Sequence, residues 1–126
     1  MKTIIKTDQA PAPIGPYNQA ILANGVLYVS GQVPIDPATG ELVSGSIEVE
    51  TEQVMKNLQA ILEAARTSFD AVVKCSIFIS DMGQFARINA VYGNYFSEDA
   101  PARETVEVSQ LPKGVNVEIS CIALVP

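Results

Sequence analysis

The chain has 126 residues, 48% hydrophobic and 17% charged, with a formal net charge of −6. That composition excludes a disordered chain, and the acidic balance argues against the broad basic footprint that nucleic-acid binding requires. With no histidine and only two cysteines, the commonest base near neutral pH and the usual zinc ligand sets are missing as well. No apolar run approaches the ~20 residues needed to span a bilayer. "MKTIIKTDQAPAP" has neither the apolar core of a signal peptide nor the Arg-rich pattern of a transit peptide. One cytoplasmic domain over residues 1–126 is the expectation.

In chain order, "MKTIIKT" reads as a short edge strand. "DQAPAPIGPYNQ", with three prolines and a glycine, reads as an ordered loop. "AILANGVLYVSG" predicts a β-hairpin, because Asn24-Gly25 suits a type I′ turn. Its second strand is expected to end at Ser30-Gly31, where glycine permits close backbone approach to a ligand. Pro34, Pro37, Gly40 and Gly45 then punctuate a long connection.

From about Glu48 to Ala65 the period becomes helical. Val54, Met55, Leu58, Ile61, Leu62 and Ala65 form one stripe, and Ser46 is placed as the N-cap with Glu48 and Glu50 in the first turn. "VVKCSIFIS" alternates as a strand, with Val73, Cys75, Ile77 and Ile79 on one face. Asp81 is the expected cap of a second helix over roughly residues 83–96, with an aromatic stripe that includes Phe85, Tyr92, Tyr95 and Phe96 and reads as core. Two strands close the chain: "RETVEV", with Arg103, Thr105 and Glu107 pointing one way, and "VNVEISCIALV", with Val117, Ile119, Cys121 and Ala123 on one face. The link between them is too long to assume that they pair. Both cysteines sit in predicted strands and read as buried free thiols.

This order implies an α+β domain, a mixed sheet with two helices packed on one face. The other face would need cover, and Val, Ile and Cys on it would favour oligomerisation.

Four polar features are candidates for chemistry. Arg103 opens a strand after Pro101-Ala102. It is either a solvated surface charge or a planar fork able to grip a carboxylate. Glu118 lies in a strongly apolar strand, where a carboxylate is costly unless it is paired or faces a wet cleft. Tyr17 stands in the proline-stiffened "GPYNQ", either packed on the surface or turned to a ligand. Ser30-Gly31 either turns the chain or lines a site.

Taken together, "APAPIGPYNQA", "LYVSGQVPIDPATGELV", "FISDMGQFARINAVYGNYF" and "APARETVEVSQLPKGVNVEISCIAL" closely resemble the RidA/YjgF/UK114 family of enamine/imine deaminases, in order and over nearly the whole chain. The resemblance implies a chorismate-mutase-like (YjgF-like) fold whose C-terminal strand inserts within the sheet. It implies a homotrimer with ligand clefts between subunits and a small imino acid as substrate, whose electrophilic imine needs no cofactor; composition and charge separately argue against a metal, nucleic acid or a membrane. It implies hydrolysis of 2-iminobutanoate and 2-iminopropanoate to 2-keto acids and ammonia. By the same resemblance Arg103 binds the substrate carboxylate, Glu118 positions the attacking water, and Tyr17, Ser30, Gly31 and Asn89 line the cleft.

Three positions depart from the family pattern. Asn18 stands where serine is common, Glu104 where a small polar residue is usual, and Thr105 where some members carry a cleft cysteine. Strand parity should turn Glu104 away from Arg103. The competing readings are a non-catalytic 2-keto acid binding module and a ribonuclease or translation inhibitor. The acidic balance and the missing histidines count against the latter.

Overall fold

Asn24 and Gly25 carry φ angles of 52° and 75°, the positive pair that a type I′ turn requires, and the chain folds back there. The computed structural model describes all residues 1–126. The strands of this hairpin are β2 (Ala20–Ala23) and β3 (Val26–Gln32), and β1 (Thr3–Ile5) lies antiparallel on the outer side of β2. The later elements are α1 (Ile47–Ala64), β4 (Val72–Ile79), α2 (Phe85–Gly93), β5 (Ala102–Glu107) and β6 (Val117–Leu124). They complete a six-stranded mixed sheet of order β1-β2-β3-β6-β4-β5.

The last strand therefore inserts between β3 and β4, antiparallel to both, and β5 runs parallel to β4 at the edge. A parallel neighbour needs a crossover, which α2 supplies. β5 and β6 do not pair, as the implied fold requires. The central place of β6 matches its pattern: Val117, Ile119, Cys121 and Ala123 are all buried.

Both helices lie on one side of the sheet. Ser46 caps α1, its Oγ accepting from Val49 N at 3.2 Å. The stripe of Val54, Met55, Leu58, Ile61 and Leu62 is fully buried against the sheet. α2 packs beside α1. No helix is long and apolar enough to cross a membrane.

Four expectations are corrected. The second helix does not run over 83–96: Asp81 caps a single 3-10 turn over Met82–Gln84, and the α-helix itself covers only Phe85–Gly93. Val73 does not share the buried face of β4. The register skips it between Val72 and Lys74, so Val72 is buried and Val73 is turned out. The second hairpin strand does not stop at Ser30-Gly31 but continues to Gln32 through an irregularity.

The cysteines, finally, are absent from the uncovered face. Cys75 and Cys121 are cross-strand partners on the helix-covered side, buried and unbridged. The open face carries an apolar row in register across Ile4, Ile21, Tyr28 and Ile122. Ile4, Tyr28, Val106 and Leu124 stand well exposed.

Candidate functional site

The irregularity in β3 builds the first part of the site. Val29 pairs with Cys121 and Gln32 with Ile119, so one extra residue is accommodated at Ser30-Gly31 as a β-bulge, a device common beside active sites. The bulge returns Gln32 to the core side, where its Nε2 donates to Ser30 O at 3.2 Å. At Gly31 the close neighbour is a side chain of the protein itself. A Cβ on it would lie 2.8 Å from Glu118 Cδ and 3.0 Å from Cγ. The Glu118 side chain is laid across the bare Cα.

Around Glu118 opens a cavity of about 390 Å³ whose walls include Tyr17, Ser30 and Gly31 with Ile14, Val33 and Pro112. Its loop wall is stapled by buried Gln19. Gln19 Oε1 accepts from Thr7 N at 2.7 Å, and Nε2 donates to Thr7 O at 2.9 Å and Pro11 O at 2.9 Å. Ser30 adds a second fastening, donating its hydroxyl to Asn18 O at 2.6 Å and its backbone N–H to Gln19 O at 2.9 Å. Toward a ligand the Ser30 oxygen is therefore an acceptor.

The far wall is tied to α1. Asn57 Nδ2 donates to Val33 O at 3.1 Å and Ile35 O at 3.0 Å, and Glu50 accepts from Asn116 Nδ2 at 2.9 Å. The sequence reading missed Gln19, Glu50 and Asn57 as scaffold. A signal existed for two of them: Glu50 and Asn57 fall in the apolar stripe of α1, where a polar side chain must find buried partners.

Glu118 is half-buried and has no cationic partner. Burial raises its pKa above the ordinary carboxylate value. The folded pKa is thus the higher one. The penalty for ionised Glu118 appears as pH rises through the unfolded value and is complete above the folded one. Glu118→Gln is therefore expected to melt at the same or a higher temperature than wild type at neutral pH, the gap closing as pH falls below the carboxylate range. Thermal melts of both proteins across pH check this.

Arg103 lies elsewhere. In the β4–β5 ladder it is opposite Cys75, which faces the helices, whereas Glu104 is opposite Ser76 on the open face. Glu104 is held there by Lys74 Nζ at 2.9 Å and by the Ser76 hydroxyl, so parity does separate it from Arg103. Arg103 Nη1 donates to Asn89 Oδ1 at 2.5 Å, and its guanidinium lies 5.5 Å from the Phe85 ring centre and 5.0 Å from that of Tyr92. No carboxylate pairs with it. The Thr105 hydroxyl on the same side of β5 is buried and unpartnered.

One chain therefore brings Glu118, Tyr17, Ser30 and Gly31 together, and separately Arg103, Asn89 and Thr105. The register fixes their separation. Glu118 aligns with Phe78 and Val106, whereas Arg103 aligns with Cys75 and Cys121. The two charged groups stand on opposite faces of the sheet, two strands or about 10 Å apart across it and three residues or about 10 Å apart along it. A site that uses both needs two copies of the chain. No group of three His, Cys, Asp or Glu side chains converges to hold a metal ion.

The sequence matches the family described as endoribonuclease L-PSP over residues 7–125. It is 54% identical over 123 residues, 98% of each chain, to a RutC family protein of Pyrococcus horikoshii. Among solved structures it superposes on YyfA of Yersinia pestis, a protein of the conserved Rid family. That match has a TM-score of 0.95 and 51% identity, covering 99% of this chain and 100% of that one. It superposes likewise on E. coli TdcF, solved with bound serine, with a TM-score of 0.93 and 38% identity over 98% and 99% of the two chains.

Proposed function

Because the chain belongs to the RidA/YjgF/UK114 family, that of endoribonuclease L-PSP, we propose that it is a cytoplasmic enamine/imine deaminase acting on 2-iminobutanoate and 2-iminopropanoate. The observation that carries this reading is the Glu118 carboxylate, unpaired, half-buried and propped over Gly31 beside Tyr17 in an apolar-walled cavity. Burial makes it a stronger proton acceptor than an ordinary carboxylate. The unneutralised fork of Arg103 supplies the complementary charge. TdcF, a neighbour in structure, was solved with serine, which carries the kind of carboxylate assigned here to Arg103.

In the proposed assembly, a homotrimer, the β5 edge of one copy faces the cavity of the next. Arg103 of one copy grips the imino acid carboxylate, with Tyr17 of the other assisting. Glu118 orients a water and accepts its proton as the oxygen bonds to the C=N carbon. The imine nitrogen takes up a proton from solvent, giving a carbinolamine. Glu118 then returns its proton to nitrogen while the carbinolamine hydroxyl releases its own to solvent, so the C–N bond breaks as the C=O bond forms, leaving a 2-keto acid and ammonia. Imines are already electrophilic, so this step needs only a modest lowering of the barrier, about tenfold for each ~1.4 kcal/mol.

The test is 2-keto acid and ammonia formation from an imine generated in place by a pyridoxal-phosphate dehydratase, with and without the protein. Acceleration supports the reading. Tight 2-keto acid binding without acceleration would instead indicate a binding module, and RNA cleavage lost on a cavity mutation would indicate a ribonuclease. Gly31→Ala gives a finer check. The added methyl must displace the Glu118 carboxylate, and a misplacement of that size is expected to cost about a hundredfold in turnover while the fold persists. Steady-state rates and a thermal melt measure both parts.

A further inference from the structure

Arg103 is an arginine that the fold holds in place without neutralising it. The chain carries 14 acidic residues, yet the two acids on its own strand are engaged elsewhere. Glu104 is bound to Lys74 and Ser76 on the opposite face, and Glu107 accepts from Met82 N at 2.7 Å. What meets the guanidinium instead is one face of α2. Phe85, Asn89 and Tyr92 recur at i, i+4 and i+7, a spacing that aligns side chains along a helix. Asn89 takes Nη1, and the two rings lie within cation–π distance.

We propose that Phe85 and Tyr92 are positioning residues, an aromatic clip that fixes the Arg103 fork for a carboxylate ligand while leaving its charge unspent. This deepens the proposed function and rests on it. A ring face attracts a cation through its quadrupole and accepts no conventional hydrogen bond from it. An acidic partner would hold the side chain as firmly but would occupy the very donors that a substrate needs. Free arginine loses rotamer freedom on binding, and a fork already held pays less of that cost.

The Tyr92 hydroxyl contributes nothing comparable. Tyr92 is 5% exposed and its hydroxyl has no hydrogen-bond partner, with only the weakly bonding Cys75 thiol beside it. The ring is the working part, so phenylalanine should serve at this position and leucine should not. Phe85, at the first turn of α2, is only partly buried and tolerates truncation better.

The test measures 2-oxobutanoate affinity by calorimetry, with steady-state kinetics and thermal melts, for Phe85→Leu, Tyr92→Leu, Tyr92→Phe and Arg103→Ala. The leucine variants are expected to bind about three- to thirtyfold more weakly, the range of one cation–π contact. They should raise KM far more than they lower kcat, and Tyr92→Phe should restore wild-type affinity. If Tyr92→Leu does not fold, Phe85→Leu carries the same comparison. Leucine variants that melt lower but bind 2-oxobutanoate like wild type, while Arg103→Ala loses it, would overturn the clip and leave the clamp standing. Wild-type binding by Arg103→Ala would overturn both.

Discussion

Glu118→Gln is expected to keep 2-keto acid binding and lose about 10²- to 10⁴-fold in turnover, the usual share of a general base. The amide has the shape of the carboxylate and can still lie across Gly31, where any β-carbon would collide with residue 118. It cannot accept the proton of the attacking water. Binding should survive because the proposed grip on the substrate carboxylate comes from Arg103, on the other face of the sheet. Loss of kcat with unchanged affinity is the mark of an interaction used only in the transition state. Coupled with an unchanged or raised melting temperature, it would identify a group kept for chemistry at the expense of stability. Near wild-type turnover would make Glu118 a structural residue.

Arg103→Ala is expected to weaken 2-oxobutanoate binding by about 10- to 150-fold, the worth of a charge-assisted contact of ~1.5–3 kcal/mol. It should also bring imine hydrolysis to background. As a solvated surface charge, Arg103 would instead change stability by under ~0.5 kcal/mol and leave activity alone. Arg103→Lys separates charge from shape. Lysine keeps the charge but has neither the planar fork for two parallel hydrogen bonds nor the flat face that lies near Phe85 and Tyr92. Weak rescue is expected. Full rescue would mean that the site needs only positive potential.

What the sequence discloses, and what it hides, follows from how the signals arise. The Asn24-Gly25 hairpin and the α1 stripe are legible because each rests on local chemistry or a repeated period. Period fails where a strand gains one residue. The skips at Val73 and at Ser30-Gly31 leave the alternation apparently intact while exchanging the faces. The sequence predicts a longer second helix because the turns on either side of Phe85–Gly93 continue its apolar rhythm without its hydrogen bonds. The place of β6 between β3 and β4 is a matter of partners at long range, and it came from resemblance, not from the strand's own residues.

The candidate site divides in the same way. The identities of Arg103 and Glu118 stand out in the motifs. That they occupy opposite faces depends on ladder register, which their positions in the sequence do not contain. In the sequence Gly31 reads as a glycine that permits close approach of a ligand. Only the packed structure identifies the close neighbour as Glu118.

The most direct measurement is complementation between two inactive variants. Arg103→Ala and Glu118→Gln would be unfolded together, refolded at equal concentration to exchange subunits, and assayed for 2-keto acid formation from a freshly generated imine. If each site takes its arginine from one copy and its glutamate from the neighbour, random mixing should restore about a quarter of wild-type activity. Each variant refolded alone should stay at background. A mixture no more active than its components would contradict a site shared between two copies.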